Sequence, residues 1–357
     1  MDKHESLKLI EKLSNANGVS GFEDEVVGIF SEAVQSFGKV SEDHMRNVYV
    51  ERQGNRGHRP VVQLDAHSDE VGFMVQAIKP NGMLRFVTVG SWAAVNIPAH
   101  KVRVRNRDGV YIPAVISSTP PHFMTTEQRN CVPQIADMSI DVGATSAEEV
   151  VQDFKIDVGA PVVPDVTFDY LEEKEVLLGK AFDNRIGTAA MVDILRELDG
   201  QDLNVDIVAS LSAQEEVGDR GAQVTVRKIQ PDLSIVLEGP PADDTFMPDY
   251  MIQTGMRRGP MLRDLDTSII VNPRFQRYCL DTAKQHNIKA QRAVRTGGGN
   301  DGAVINLYQG APTVVAGIPV RYAHTHYCYV AFEDYVSTVR LVTEILKSLD
   351  AEVIGKF

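Results

Sequence analysis

VDIVASLSAQEEVGDRGA, Val205 to Ala222, is the stretch on which the fold turns. Its apolar run predicts a buried strand. The run stops at two adjacent carboxylates, Glu215 and Glu216, followed by a glycine-punctuated turn. Ending a buried strand in paired acids is costly unless something there uses the charge. In open α/β sheets, ligands bind at the carboxyl ends of the strands. At this point the pair allows a metal site, a glycosidase-type acid pair or an exposed turn. The working expectation is that one glutamate handles protons and the other holds a metal.

Outward from this run the chain alternates strands and helices. PVVQLDAHSDEVGFMVQAI places a core strand at Val61 to Leu64, with polar residues straight after it. GKAFDNRIGTAAMVDILREL is a turn feeding a helix, and LSIVLEG is another strand. A helix at Pro273 to His286, the cluster TGGGNDGAV, the strand PTVVAGIPV and an amphipathic helix at Phe332 to Leu349 follow. Near the start, Leu7, Ile10 and Leu13 have helical spacing. Ser20 and Glu23 have capping-box spacing ahead of a stripe at Val26, Val27, Phe30, Val34 and Phe37.

From Val71 to Asp165 the texture changes. GFMVQAI, LRFVTV, HKVRVRN and GVYIPAVI alternate with turns such as PNG and RDG, with a short helix at SAEEVVQDF. The predicted organisation is a discontinuous α/β domain, residues 1–70 and 166–357, with a small β domain, residues 71–165, inserted into it.

With 357 residues, 43% hydrophobic and 24% charged, the composition suits a soluble globular protein of about two domains. A net charge of −13 argues against nucleic acid or an anionic membrane as the main partner, since both select basic surfaces. The N-terminal helix lacks the apolar core of a signal peptide, and no stretch approaches the ~20 apolar residues of a membrane span. Cys131, Cys279 and Cys328 are odd in number and far apart, so no disulfide framework or CxxC metal site is indicated. A reducing cytoplasm is the expected setting.

Acids and histidines cluster after apolar strands or in tight turns: Asp65-Ala-His67-Ser-Asp69, Asp183, Glu215-Glu216, Glu238 and His324-Thr-His326. Singly each has a plain reading. Asp183 before a helix is an ordinary N-cap, Glu238 a solvated strand end, and His324 a hydrogen-bonded surface or core histidine. Residues two apart share a strand face, so Asp65, His67 and Asp69 project together if the strand reaches that far. A ligating histidine commonly leans on a carboxylate. Jointly, two histidines and three carboxylates suit zinc, cobalt or manganese, and the set fits a two-metal hydrolase.

GKAFDNRIG resembles the GKAxDxRxG motif of the tetrahedral aminopeptidases, dinuclear metallopeptidases that include glutamyl and deblocking aminopeptidases and some members labelled as glucanases. DAHSDEVGFMV, AQEEVGDRGA, the TGGGNDGA region and IPVRYAHT resemble that family's other motifs in the same order. NGVSGFEDEV and the PPH at Pro120 to His122 extend the match over nearly the whole chain. The resemblance implies that His67 binds one of two divalent ions and Asp183 bridges both. Glu216 and His324 complete the second ion's shell, Glu238 completes the first, Glu215 is the general base, and Asp69 orients His67. Glu238 stands where the family more often has aspartate. After His324, THYCYV lacks the acid many relatives carry, which leaves His326 as a site neighbour, a pocket residue or, first among these, plain surface.

TGGGNDG is not a phosphate loop, because no Lys-Ser/Thr follows the glycines. It predicts a close-packed turn beside the site, with Asn300 and Asp301 as candidate substrate contacts. Arg257, beside Arg258 in GMRRGPM, is a third candidate, although two arginines on a loop are usually solvated. The resemblance further implies an α/β catalytic domain with a central mixed sheet, and an inserted barrel-like, PDZ-like domain that makes dimers, which many members assemble into dodecamers. The activity it implies is release of N-terminal residues from short peptides. Alternatives are a deacylase or carboxypeptidase-type enzyme on the same dinuclear fold, a glycoside hydrolase, which would leave His67 and His324 without purpose, and a scaffold that has lost turnover.

Overall fold

The computed structural model describes residues Met1–Phe357. At its centre is an eight-stranded mixed sheet. In spatial order its strands are Gly38–Glu42, Val48–Arg52, Asp206–Ser212, Val61–His67, Leu233–Glu238, Thr313–Gly317, Met261–Leu265 and Gln291–Val294. The four middle strands, Asp206–Ser212 to Thr313–Gly317, are mutually parallel. The neighbours on either side of this block run antiparallel to it. Parallel strands are covered on both faces: Leu233–Glu238 and Thr313–Gly317 are largely apolar, while Val61–His67 and Asp206–Ser212 alternate and bury Gln63, Asp65, Ser210 and Ser212 on one face. Leu233–Glu238 is buried at every position.

Helices close the two faces. Phe182–Glu197 lies on one, packed between Lys3–Asn15 and Phe332–Ser348. Arg220–Ile229 and Asp301–Leu307 lie on the other. The strand period of two sorts the side chains accordingly. Ile235 and Leu237 enter the main core of 50 buried residues, while Val236 joins Ala222, Val226, Ile305 and Val315 in a smaller one.

Between Val61–His67 and Val176–Gly179 the chain makes a closed six-stranded barrel. Gly72–Ile78, Leu84–Val89, Lys101–Arg105 and Tyr111–Ile116 correspond to the four β-like runs of the sequence, and Ile140–Asp141 and Pro161–Pro164 complete the closure. The barrel has its own core of 17 buried residues, among them Phe73, Phe86, Val104 and Ile116. The chain enters it five residues past the end of a central strand at His67, so its first strand starts at the rim of the main sheet.

One local expectation fails. The second helix starts at Asp24, its cap residue Glu23 makes no side-chain cap bond, and Ser20 does not cap it. The Ser20 hydroxyl instead donates to Asp69, 49 residues away, at 2.6 Å. No helix is long and apolar enough to cross a membrane.

Candidate active site

The carboxyl ends of the central strands bring the acids together. His67 ends its strand in register with Ser212, and Glu215-Glu216 follow Ser212 in a single 3-10 turn. Glu238 ends the next strand over. Asp183 enters from the start of Phe182–Glu197, where Asp183 and Asn184 depart from helical geometry and the peptide bond between them is cis. Asn184 Nδ2 donates to Leu237 O at 2.7 Å, docking this turn on the strand end. Gly239 makes room for it, since a Cβ there would sit 2.5 Å from Phe182 O and 2.9 Å from Asp183 Cα.

Asp183 lies between two imidazoles. Its Oδ1 is 3.2 Å from His67 Nε2, and its Oδ2 is 3.4 Å from His324 Nε2. His324 Nε2 is also 3.4 Å from Glu216 Oε2, while His67 Nε2 is 3.8 Å from Glu215 Oε2 and 3.9 Å from Glu238 Oε2. Donor atoms of His67, Glu215 and Glu238 fall within 4.8 Å of one another, as do those of His67, Asp183 and Glu216. Glu215 therefore stands as near His67 as a ligand would, and distance alone does not separate base from ligand. Both line the cavity, the Glu215 side chain 12% exposed and the Glu216 side chain 5%.

Each histidine has its far nitrogen fixed. His67 Nδ1 is 3.2 Å from Asp69 O and 3.3 Å from Asp69 Oδ1. His324 Nδ1 is 3.0 Å from Ser91 O, a carbonyl that can only accept, so Nδ1 carries the proton and Nε2 is left to face the acids. Asp69 does more than orient His67. It accepts from the backbone N–H of Glu215 at 3.0 Å and of Glu216 at 3.2 Å. Burial would raise its pKa, but hydrogen bonds from His67, Ser20 and Glu215 hold it below the ordinary carboxylate range.

The electrostatics call for cations. Burial pushes Glu216 and Glu238 up to about 8, and pushes Glu215 well above the usual range. His324, against burial, is raised to about 9 by Glu216 and Asp183. Asp183, also against burial, is held low by His324 and His67. Glu216 Oε1 and Glu238 Oε1 are buried with no hydrogen-bond partner, the condition that metal coordination relieves. Carboxylate and imidazole donors without a thiolate suit zinc, cobalt or manganese. The residues fit a pair of divalent ions.

A cavity of about 740 Å³ opens onto this cluster. Asp183, Glu215 and Glu216 line it, together with Phe246, Met251 and Arg295 among others. Gly297 to Gly299 form part of the wall, but Asn300 and Asp301 do not. Asn300 caps the following helix and donates to Asp266 Oδ2 at 2.9 Å. Asp301 is fully buried near Asp65, where burial and then Asp65 raise its pKa well above the usual range. Arg257 is also absent from the lining. It pairs with Glu333 at 2.5 Å and donates to Lys174 O, tying its loop to the last long helix. Asp65 accepts from Ser210 and, at 2.8 Å, from Ser212. The central strand ends at His67, so Asp65 and His67 share one of its faces while Asp69 lies beyond its end.

His326 is not a surface residue. It is 1% exposed, and burial together with His100 lowers its pKa to about 3. Lys180 and Arg185, the two cations of GKAFDNRIG, do not reach the cavity either. Lys180 Nζ meets both Glu70 oxygens at 2.6 and 2.7 Å, and Arg185 Nη2 meets Glu70 at 3.3 Å. Arg185 also donates to Ser68 O at 2.9 Å, so the motif braces the turn just past His67. No spacing in the sequence points to Glu70 as their shared partner.

The model of the M42 glutamyl aminopeptidases matches residues 46–341. The chain belongs to the M42 glutamyl aminopeptidase family. Among members of known sequence, it is 30% identical to the glutamyl aminopeptidase of Lactococcus lactis subsp. cremoris (strain MG1363), over 97% of each chain. Among solved structures it superposes on a TET aminopeptidase from the marine sediment archaeon Thaumarchaeota archaeon SCGC AB-539-E09 with a TM-score of 0.94, at 36% identity over 99% of each chain. It also matches the dodecameric PhTET1-12s with a TM-score of 0.85, at 25% identity over 98% of this chain and 100% of the other. With the family shown, the chain is a peptide-bond hydrolase of the aminopeptidase class.

Proposed function

We propose that this M42 peptidase removes N-terminal residues from short peptides with two divalent ions, zinc, cobalt or manganese, at the strand ends. The observation that carries the reading is Asp183, whose two oxygens face different imidazoles at 3.2 and 3.4 Å. His67 and Glu238 would hold one ion, Glu216 and His324 the other, and Asp183 both. When bound, the pair supplies an activated water, a polarised scissile carbonyl and an anchor for the free amino group. Glu215 takes the proton of the attacking water and delivers it to the leaving amine. Asp69 holds His67 in one tautomer and the Glu215-Glu216 turn in place. The acids that line the cavity favour a cationic α-amino group, and its volume of about 740 Å³ leaves room for the first side chain. Imidazoles interleaved with the acids favour this chemistry over a glycosidase pair, which needs two carboxyl groups about 5–10 Å apart and no metal.

The same reading makes residues 71–165 a dimerisation domain inserted into a catalytic domain of residues 1–70 and 166–357, with dimers assembling into a dodecamer, the state in which PhTET1-12s was solved. Apolar side chains on the barrel, including Val95, Val115, Phe123 and Val132, are exposed in the single chain and support a contact with a second copy. A mass measurement in solution tests the assembly. The three free cysteines suit a reducing cytoplasm.

The function is tested on a peptide with a free amino terminus and on its N-acetylated twin. The reading expects release of the first residue from the free peptide alone, loss on chelation, and recovery with zinc, cobalt or manganese. Full activity in chelator, or equal cleavage of both peptides, contradicts it.

A further inference from the structure

The inserted barrel reaches the cluster through the segment Gly90-Ser91-Trp92, which follows its strand Leu84–Val89. Ser91 O is the carbonyl that faces His324 Nδ1 at 3.0 Å. Gly90, at φ +76, lies against Val71 and Glu216, where an added Cβ would come within 2.6 Å of Val71 Cγ1 and 3.4 Å of Glu216 Cβ. One short barrel segment thus touches both residues assigned to the second ion alone, His324 and Glu216.

Two barrel side chains also grip the loop that carries His324. His326 stacks on His100 with ring centres 3.9 Å apart and planes at 14°. Trp92 meets His326 edge-on at 5.1 Å, and packs in turn against Phe73 of the barrel core at 4.7 Å. The His326 ring nitrogens are buried without a well-formed hydrogen bond, although the backbone of Asn96 lies near enough to favour a proton there. Its contribution is therefore the shape and stacking of a flat ring. His324 itself sits at φ +60, a left-handed geometry that a non-glycine residue keeps only where its surroundings impose it.

We propose that His326 is a positioning residue, clamped between His100 and Trp92, through which the barrel sets His324 for the second ion. The proposal rests on the two-ion reading above. It gives the barrel a part in the catalytic centre of its own chain.

The test measures metal binding by the full-length protein, apart from turnover. Metal-free protein is titrated with zinc by calorimetry, and cobalt-loaded protein is followed by its visible absorption. Wild type is expected to take up two ions. His326→Ala is expected to weaken one of them at least tenfold, the scale of losing a ligand's supporting partner, and to leave the other unchanged. His326→Phe is expected to restore both ions and the cobalt spectrum, because it keeps the stack and removes only nitrogens without a well-formed hydrogen bond. If His326→Ala fails to fold, Trp92→Ala and His100→Ala approach the same clamp from the barrel side and should weaken the same ion. Two ions at wild-type affinity in whichever of these alanine variants fold overturn the proposal. So does a His326→Phe protein that behaves like His326→Ala. Fewer than two ions in wild type would overturn the two-ion reading instead, and two ions without peptide cleavage would overturn only the proposed activity.

Discussion

Asp69 Oδ1 accepts the backbone N–H of Glu215 at 3.0 Å while lying 3.3 Å from His67 Nδ1, so one carboxylate holds both the proposed base and a proposed ligand. With Ser20 and Glu216 on its other oxygen, it serves four donors. Asparagine has a single acceptor oxygen and would turn N–H groups toward groups that donate. Asp69→Asn is expected to lower kcat about 10- to 100-fold. Steady-state kinetics on an unblocked peptide checks this, and an unchanged kcat would remove Asp69 from the mechanism.

Glu70 is the sole carboxylate within ion-pair distance of Lys180 and Arg185, all three being essentially buried. Removing it leaves two desolvated cations. Breaking a buried pair from one side costs about 3–5 kcal/mol, and Glu70→Gln should approach that loss in denaturant unfolding. A loss below about 1 kcal/mol would mean that backbone carbonyls alone satisfy both cations.

Glu23 is buried with one oxygen unpartnered, and burial followed by the Asp69 charge raises its pKa to about 7. Its folded pKa lies above the unfolded value of 4.5, so between those values the folded state holds a proton that the unfolded state has lost. Its contribution is thus fully present below pH 4.5 and is lost as pH rises to about 7. Glu23→Gln cannot ionise. Wild type should lose roughly 2–3 kcal/mol relative to the variant between pH 4.5 and 8. Unfolding both proteins across that range checks the sign, and a difference that stays flat would contradict it.

These residues show which features were legible in the sequence. The runs at Val61, Asp206, Leu233 and Thr313 are the four parallel strands, legible because each carries several apolar residues in a row or in alternation and is almost wholly buried. The acids were legible as strand ends, but no spacing separates Glu215 from Glu216, and their assignment came from the family motifs. Local patterns misled where a distant partner decides. Ser20 imitates a helix cap, yet its bond goes to Asp69. His326 has the polar flanks of a surface residue, and its burial comes from Trp92 and His100, far earlier in the chain. Arg257 has the look of a free loop arginine until Glu333, 76 residues on, closes against it.

The most direct measurement of the central claim is Glu215→Gln, assayed in one preparation for bound metal by mass spectrometry and for peptide turnover. Glutamine keeps the volume and cannot take a proton, and losing a general base costs about 10²–10⁴-fold. The account predicts two ions per chain and turnover reduced by at least a hundredfold. Undiminished turnover would contradict the role of Glu215 as base, and loss of an ion would make it a ligand instead.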